Sequence, residues 1–490
     1  MEGIKCVQHG YFWHVSDFHV DQNYSRTGNP HKLCHSENGK SFSDNGLYGN
    51  FLCDSPQKLI NVTVSSMKRI QPKPDFILWT GDNLPHTVDF NPDWNVTFEA
   101  IRNISQLLHS TFPGIAIIPC IGNHDTFPPN ILAPEEKIEE YKQYLELGGW
   151  DQLIPKEAWP DFIQGGFFSM LVKPKLRVIS LNTILWYTNN KLTEDIADPA
   201  NQFKWLGQLL KNATKASEKV YIIGHVAPGF YSRTIPGKKG DSTYHPNKLV
   251  TFNRILHYFS NIIIGQMYGH YHIDMFTVSQ YGTGNFEGSA LLASSVTPWH
   301  QADLANVSIP VNPSIRLMHY SLQDSTLLDY DQFYMNLTKA NANHESSEET
   351  ASQLYEKLYT FTEFYEVKDL STPSLVAIYE KLKQDPKLFE SFYVFLSAGE
   401  RSTACDATCK VAQLCGMACT SLSEYNECMR NVDSVHHIRQ RLGRDVVVNS
   451  ALIYGSVALG VVIISLVGFL LYRRFRKPSN YQEYQAFAHF

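Results

Sequence analysis

The sequence predicts a layered α/β fold, because short apolar runs typical of strands alternate with segments of helical periodicity. Five of these runs are followed closely by Asp, Asn or His, and open α/β sheets place their sites at the ends of strands. At 490 residues, 43% of them hydrophobic, the chain is long enough for one large domain and a smaller one. Its net charge of −6 gives no reason to expect a nucleic-acid polymer as partner.

The central motif is Gly122-Asn123-His124-Asp125, which follows an apolar run at 115–120 that predicts a buried strand. The glycine permits a tight turn, after which Asn123 and His124 can point into a site above the sheet. Four other segments repeat this arrangement along the chain. With Asn123, the candidate ligands placed just after strands are Asp17, His19, Asp82, Asn123, His225, His270 and His272.

These residue types predict a metal centre. Carboxylate and amide oxygens mixed with imidazole nitrogens suit borderline divalent ions such as zinc, manganese or iron. The i, i+2 spacing of Asp17 with His19, and of His270 with His272, puts both side chains of each pair on one side of an extended chain. Seven ligands are too many for one tetrahedral ion and fit two ions that share a carboxylate. In a chain with 19 His some lie near Gly by chance, but five such segments in order favour a site.

The order of the motifs, Asp-x-His, Gly-Asp, Gly-Asn-His-Asp, Gly-His and Gly-His-x-His, resembles that of the calcineurin-like metallophosphoesterases. Within them, the chain is most similar to the acid sphingomyelinase-like phosphodiesterases, and closest to the membrane-associated b-type. The closer resemblance spans about residues 11–428 and is carried by 12–17, 52–56, 76–82, 198–203 and 296–299.

The resemblance implies an α/β/β/α sandwich, with two mixed sheets between helices, and a hydrolase with two Zn²⁺ ions per chain. It assigns one zinc to Asp17, His19, Asp82 and His272, and the other to Asp82, Asn123, His225 and His270. Water activated by the metals would attack phosphorus, and His124 would protonate the leaving oxygen. His86 would stabilise the transition state, although a surface histidine in a loop is the alternative.

The substrate is left open between nucleotide-type phosphoesters and phosphocholine lipids such as sphingomyelin. We favour the smaller soluble phosphoesters, because the sequence shows no lipid-engaging domain before residue 11. The alternative function is a catalytically idle surface protein that binds lipid or a receptor, but such a relative should have lost a ligand. Residues 286–300 are expected to form the substrate rim, without individual roles.

Cysteines and sequons both favour the secretory route. Cys34 and Cys53 lie in a long polar insertion at 23–54, where a disulfide is expected. The C-terminal cysteines lack the spacing of a zinc finger, and the resemblance implies the pairs Cys405–Cys409 and Cys415–Cys428. The states of the remaining cysteines, Cys6, Cys120 and Cys419, stay open. Seven possible glycosylation sites occur, at Asn23, Asn61, Asn95, Asn103, Asn212, Asn306 and Asn336.

A membrane anchor is expected near the C-terminus. Residues 451–472 form an uncharged apolar run long enough to span a bilayer, and the basic cluster at 473–477 predicts a cytosolic tail. This tail disfavours the glycolipid anchor that the b-type implies. We therefore expect a monomeric, single-pass ectodomain on the extracellular or lumenal face of a plasma or endolysosomal membrane. Because residues 1–10 contain no apolar signal core, we also expect that the natural signal peptide is missing.

Local patterns give the expected elements. A helix is predicted at 55–70, with Ser55 as N-cap and Pro56 in the first turn, and an amphipathic helix at 202–212. Helical periodicity also covers 349–429. The predicted parts are an N-terminal remnant (1–10), a catalytic domain (11–335), a connector (336–348), a small helical domain stapled by disulfides (349–431), a juxtamembrane linker (432–450), the transmembrane helix (451–472) and the cytoplasmic tail (473–490).

Overall fold

The computed structural model describes residues 8–86, 93–134, 138–230, 242–281, 284–300, 309–343, 348–400 and 404–430. The strands, in chain order, are β1 (His9–Val15), β2 (Tyr24–Asn29), β3 (Phe76–Trp79), β4 (Ala116–Pro119), β5 (Phe168–Lys173), β6 (Leu176–Ser180), β7 (Lys219–Ile223), β8 (Ile263–Tyr268), β9 (Met275–Ser279), β10 (Gly288–Leu292), β11 (Ser314–Ser321), β12 (Leu327–Met335) and β13 (Tyr355–Thr360). The α-helices are α1 (Gln57–Ile70), α2 (Trp94–Thr111), α3 (Ile138–Glu146), α4 (Trp159–Gly165), α5 (Gln202–Lys215), α6 (Pro246–Tyr258), α7 (Leu337–Asn343), α8 (Glu348–Ala351), α9 (Phe361–Tyr365), α10 (Thr372–Gln384), α11 (Pro386–Leu396) and α12 (Ala407–Ala418).

Two six-stranded sheets form the centre of the fold. Their strand orders are β13-β12-β11-β1-β3-β4 and β5-β6-β7-β8-β10-β9. In the first sheet β1, β3 and β4 are parallel, while β11, β12 and β13 continue it in antiparallel pairs. In the second, β6, β7, β8 and β10 are parallel and the edge strands β5 and β9 are antiparallel. Both sheets are therefore mixed, and the predicted α/β metallophosphoesterase fold is confirmed.

The two sheets share one hydrophobic core. All four residues of β3 are buried, because this strand is covered on both faces, which explains its continuous apolar sequence. The rings of Phe12 on β1 and Tyr221 on β7 lie 5.8 Å apart, and the Ser180 hydroxyl of β6 donates to the Pro119 carbonyl of β4 at 2.7 Å. These contacts join the sheets, so that strand ends from both can contribute to one site.

The predicted amphipathic helices form, with small shifts at their ends. In α5 the buried side chains include Phe203, Leu206, Leu210 and Ala213, and the helix extends three residues past the predicted end at 212. The α1 helix begins one residue later than predicted, at Gln57. Pro56, in extended backbone, takes the N-cap position that was assigned to Ser55.

The C-terminal region is helical for most of its described length, as predicted, but the prediction is wrong for Tyr355–Thr360, which form strand β13. Strand β13 pairs with β12, with Tyr355 and Tyr359 buried and Glu356 and Lys357 between them exposed. The segment lacks the regular alternation that predicts a strand, because two consecutive residues are exposed and the pairing with β12 shifts register at Gln332–Phe333. The connector also contains structure, since α7 occupies 337–343. Residues up to Cys428 form one compact unit, and the division of the chain at 335 and 349 remains a prediction.

The three predicted disulfides are present. Cys34 pairs with Cys53, Cys405 with Cys409 and Cys415 with Cys428, with Cα–Cα distances of 5.7, 5.2 and 5.8 Å. Of the remaining cysteines, Cys120 is a buried free thiol and Cys419 a partly exposed one, whereas Cys6 lies outside the described residues. Disulfides of this kind are typical of secreted or lumenal proteins.

Several sequence predictions concern the surface and the C-terminus. Asn23, Asn95 and Asn212 are exposed, whereas the other described sequon asparagines, Asn61, Asn103 and Asn336, are half-buried. No helix among the described residues is both long and apolar enough to cross a membrane. The predicted span at 451–472, its basic tail and Asn306 lie outside the described residues.

Candidate active site

Five parallel strands from the two sheets bring the predicted ligands to one place. Asp17 and His19 follow β1, Asp82 follows β3, and Asn123 follows β4. From the second sheet, His225 follows β7, and both His270 and His272 follow β8. Because parallel strands share a direction, their carboxyl ends lie at the same edge of a sheet, and here the edges of both sheets meet.

The first group of donor atoms surrounds the His19 ring. His19 Nε2 lies 3.2 Å from His272 Nε2 and 3.4 Å from Asp82 Oδ2. His272 Nε2 is also 3.3 Å from Asp17 Oδ1. Asp17, His19, Asp82 and His272 are the four residues that the family resemblance assigns to one ion.

The second group lies on the other side of Asp82. Asn123 Oδ1 is 2.9 Å from His225 Nε2 and 2.8 Å from His270 Nδ1, and His225 Nε2 is 3.1 Å from Asp82 Oδ2. The same oxygen of Asp82 therefore faces both groups, as a bridging carboxylate would. His86, predicted to act on the substrate, also offers a ring nitrogen within 4.8 Å of ligand atoms of His19 and His272.

The backbone of the site is held in an unusual conformation. Asp17, His19, Asp82, His270 and His272 all have positive φ, between 41° and 72°. Such residues persist where the surrounding structure enforces them, and they cluster at functional sites. Here Asp17 N donates to Gly81 O at 3.0 Å and His19 N to Asp82 O at 3.1 Å. Gly122 is required because a Cβ atom there would lie 2.1 Å from Asp82 Oδ1.

A second layer of hydrogen bonds orients the ligands. His19 Nδ1 donates to Leu84 O at 2.6 Å and His225 Nδ1 to Thr80 O at 2.7 Å, which leaves the Nε2 lone pair of each ring facing the cluster. Asp125 accepts from the backbone nitrogens of Asp82, Asn83 and Gly122 at 2.7–2.9 Å and so joins the loops after β3 and β4. Sequence reasoning gave Asp125 no role, although it belongs to the central motif.

Burial and neighbouring charges set the protonation of the cluster. Burial raises the pKa of Asp82, but the charges of His225 and His124 outweigh this effect and hold that pKa well below its ordinary value. Burial and the charge of His86 lower the pKa of His124 to about 4. Burial and the charge of His225 lower the pKa of His270 to about 3. Burial lowers the pKa of His225, but the charge of Asp82 outweighs this effect and raises that pKa to about 9. A metal ion binds neutral imidazole, so binding at His225 would release its proton.

His86 is held on one side of the cluster by two residues that sequence reasoning left without a role. Its ring stacks on Trp299, with centroids 3.6 Å apart, and lies 4.5 Å from the His124 ring. Asp54, fully buried, is 2.7 Å from the backbone nitrogen of His86 and 3.1 Å from its Nδ1. Burial raises the pKa of the Asp54 carboxyl to about 7, although hydrogen bonds from His86 and Thr297 oppose this.

Asp54 belongs to the segment 52–56 that carries the family resemblance, but its contact with His86, 32 residues later, is visible only in the fold. Trp299 was placed at the substrate rim, and its ring indeed borders the site through His86. The buried Tyr187 ring meets the His270 ring edge-on at 5.2 Å. The sequence carries no local signal for Tyr187.

Comparison with known proteins agrees with this geometry. Residues 10–274 match the model of the calcineurin-like phosphoesterases, and residues 288–435 match that of the acid sphingomyelin phosphodiesterase C-terminal region. Acid sphingomyelinase-like phosphodiesterase 3b of Mus musculus is 33% identical over 433 residues, which cover 88% of this chain and 92% of that protein. The cyclic GMP-AMP phosphodiesterase SMPDL3A of Bos taurus is 35% identical over 441 residues, covering 88% and 92%. The sphingomyelinase phosphodiesterase C of Dictyostelium discoideum is 32% identical over 435 residues, covering 86% and 93%.

The fold and the cluster at the strand ends define a calcineurin-like phosphoesterase, an enzyme class that uses divalent metal ions. More narrowly, the chain belongs to the family of acid sphingomyelinase-like phosphodiesterases. It is accordingly a metal-dependent hydrolase of phosphoric diesters.

Proposed function

We propose that the protein is a dinuclear zinc phosphodiesterase that hydrolyses small phosphodiesters of the nucleotide type. The main support is the position of Asp82 Oδ2 between the two groups of ligands, 3.4 Å from His19 Nε2 and 3.1 Å from His225 Nε2. One ion would be held by Asp17, His19, Asp82 and His272, and the other by Asp82, Asn123, His225 and His270.

The donor atoms fit this assignment. Three carboxylate or amide side chains and four imidazoles give the mixed oxygen and nitrogen set that zinc accepts. Hydrogen bonds at Nδ1 of His19 and His225 fix the tautomer that presents Nε2 to an ion. When bound, the two ions would hold the phosphate oxygens and lower the pKa of the attacking water.

The chain itself would supply the proton and part of the charge stabilisation. His124 is assigned as general acid for the leaving oxygen, and its buried Nδ1 has no hydrogen-bond partner within the described structure. Because its pKa is lowered to about 4, the ring would have to take up its proton when the anionic substrate binds. His86 is assigned as donor to a phosphate oxygen, because one of its ring nitrogens lies near the ligand atoms of His19 and His272.

The choice of substrate rests on the rim. Trp299, which lies against His86 and is partly exposed, offers a ring on which a base could stack. A relative that is 35% identical is named a cyclic GMP-AMP phosphodiesterase, which supports a nucleotide substrate. Phosphocholine lipids are the second candidate, supported by the sphingomyelinase name of a relative that is 32% identical. An idle scaffold that binds lipid or a receptor is disfavoured, because no ligand of the cluster is missing.

We further propose that the enzyme acts on the extracellular or lumenal side of a membrane. Three disulfides and the exposed sequon asparagines support this location. The apolar run at 451–472 is the proposed single-pass anchor, on the grounds of its sequence alone.

The test combines metal analysis with a substrate panel on the purified full-length protein. We expect about two zinc ions per chain and hydrolysis of bis(p-nitrophenyl) phosphate and a cyclic dinucleotide, with sphingomyelin vesicles, CDP-choline and ATP for comparison. Asp82→Asn is the matched inactive control, because it keeps the shape of the side chain and removes the bridging charge. A single ion per chain, or activity that survives prolonged strong chelation, would contradict the dinuclear proposal. Hydrolysis of sphingomyelin alone would overturn the nucleotide assignment.

A further inference from the structure

Asp54 is a buried carboxylate whose contacts all lead to one side of the active site. It has no exposed surface, and three donors point at it: the backbone nitrogen of His86 at 2.7 Å, His86 Nδ1 at 3.1 Å and the Thr297 hydroxyl at 3.0 Å. A buried carboxylate without such partners would be costly, so its position depends on these hydrogen bonds.

The same residues form a closed network of hydrogen bonds and ring contacts around the His86 ring. The Trp299 backbone nitrogen donates to the Thr297 hydroxyl at 3.4 Å, and that hydroxyl donates to Asp54. The Trp299 ring then stacks on His86 at 3.6 Å, with an interplanar angle of 22°. His86 is thus held at a ring nitrogen by Asp54 and across its plane by Trp299.

Backbone hydrogen bonds connect this network to the segments that carry the proposed metal ligands. Ser55 N, next to Asp54, donates to His19 O at 3.0 Å, and Thr297 N donates to Asp17 O at 3.0 Å. On the other side of Asp54, Cys53 is fixed by its disulfide to Cys34. Asp54 is therefore placed relative to the ligands by backbone contacts, independently of His86.

We propose that Asp54 is a positioning residue for catalysis, which fixes the tautomer and orientation of His86 so that Nε2, on the far side of the ring from Asp54, faces the substrate. The inference rests on the proposed function, because His86 must act on the phosphoryl group. A carboxyl group that accepts the Nδ1 proton of a histidine holds the ring in one tautomer and one orientation. Asp54 acts only through His86 and touches no substrate.

A double-mutant cycle tests this role, with kcat and KM for bis(p-nitrophenyl) phosphate and metal content as readouts. Asp54→Asn should lower kcat on the order of 10–100-fold while KM changes little and both metal ions remain bound. In the background of His86→Gln, the same change should lower kcat by no more than about threefold, because the residue through which Asp54 acts is already gone.

Asp21→Asn is the matched control. Asp21 is another buried carboxylate that bonds a histidine, His35 Nε2, at 2.7 Å, and its backbone nitrogen donates to Ser55 O at 2.8 Å. It therefore reports the effect of breaking a buried Asp–His pair in the same region without touching His86, and kcat should stay within about threefold of wild type. If Asp54→Asn does not fold, Thr297→Val replaces it, since it removes one donor to Asp54 and leaves the carboxylate in place. Thr297→Val should lower kcat by less than Asp54→Asn does, and this decrease should likewise disappear in the His86→Gln background.

The outcomes separate this inference from the proposed function. An equal loss of kcat in both backgrounds would show that Asp54 is only structural, as would loss of metal or a matching loss in Asp21→Asn. An unchanged kcat for Asp54→Asn in the otherwise wild-type enzyme would also contradict the positioning role of Asp54. In each of these cases an active wild-type enzyme with two ions would leave the proposed function standing. A metal-loaded wild-type protein that hydrolyses no phosphodiester would overturn the proposed function, and this inference with it.

Discussion

At the scale of single residues, Asp82 is the side chain that contacts both groups of proposed ligands. Its Oδ2 faces His19 and His225, and its Oδ1 accepts from the backbone nitrogen of His124 at 2.8 Å. Asp82 therefore links both proposed metal positions to the proposed general acid. Because a carboxylate with these partners is shielded from water, its charge acts on its neighbours more strongly than it would at the surface.

His124 gives the sharpest prediction at this scale. As a general acid, it matters most when the leaving oxygen is a poor leaving group. His124→Ala should lower kcat on the order of 10²–10⁴-fold for a cyclic dinucleotide, and much less for bis(p-nitrophenyl) phosphate, whose leaving group needs no proton. Steady-state kinetics on the two substrates checks this.

Metal content is the control for His124→Ala, because the residue is not among the proposed ligands. Mass spectrometry under native conditions should find the same number of ions as in wild type. If the variant sheds metal, or loses activity equally on both substrates, the assignment of His124 as general acid is wrong.

At the scale of elements, the junction of β11, β12 and β13 connects the first sheet to the C-terminal helices. Asp331 on β12 lies 3.2 Å from His319 Nε2 and 2.8 Å from Lys357 Nζ, and it accepts from the Thr360 hydroxyl. Burial raises the pKa of Asp331, but these hydrogen bonds outweigh it and lower the pKa from 3.8 to about 2. The charged carboxylate is thus favoured in the folded state.

This shift predicts how stability depends on pH. Because the pKa of Asp331 is lower in the folded than in the unfolded chain, its contribution is complete above about pH 4 and is lost as the pH falls towards about 2. Asp331→Asn should lower the free energy of unfolding by about 1–2 kcal/mol at pH 7, after allowance for partial solvent screening, and by progressively less in acid. Urea unfolding from pH 7 to pH 3 measures this difference.

Glu356→Gln is a suitable control, because Glu356 is an exposed carboxylate on the paired strand β13, with an exposed hydrogen bond from the Tyr334 hydroxyl. Its effect on the free energy of unfolding should be small and should show no matching acid dependence. If Asp331→Asn lowers the free energy of unfolding equally at every pH, the side chain stabilises the fold through its packing and not through its charge.

The elements also show which parts of the fold can be predicted from sequence. Strands β1, β3, β4, β7 and β8 could be, because each is an apolar run followed closely by Asp, Asn or His. Strand β13 could not, since its stability comes from distant partners such as Thr63, whose hydroxyl bonds Tyr355 at 2.8 Å. Helix α7 also could not be predicted, because it depends on a distant partner: Asn341 accepts a hydrogen bond from the backbone nitrogen of Tyr48. The ligands of the site follow strand ends and were predicted, whereas Asp54 and Tyr187 depend on contacts between distant segments.

At the scale of the whole molecule, the exposed sequons predict where the protein resides. Asn23, Asn95 and Asn212 are exposed and should carry N-glycans if the domain crosses into the secretory pathway. Enzymatic deglycosylation should convert these asparagines to aspartates, detectable by peptide mass spectrometry. The corresponding Asn→Gln variants are the controls. An unglycosylated chain with reduced cysteines would contradict the lumenal or extracellular location.

The proposed metal ions should also stabilise the molecule as a whole, because the ligands come from both sheets. Asp17, His19, Asp82 and Asn123 extend from the first sheet, and His225, His270 and His272 from the second, so ions bound among them would link the two. Ligands that bind only the folded state stabilise it by mass action, by about 4 kcal/mol for each ion at a thousandfold excess over its Kd. Removal of metal should therefore lower the unfolding temperature, in calorimetry of the loaded and chelated protein. Asp82→Asn should show a much smaller difference between the two conditions, since it weakens both positions at once. Equal unfolding temperatures for loaded and chelated wild type would show that the cluster does not bind metal tightly in the folded protein.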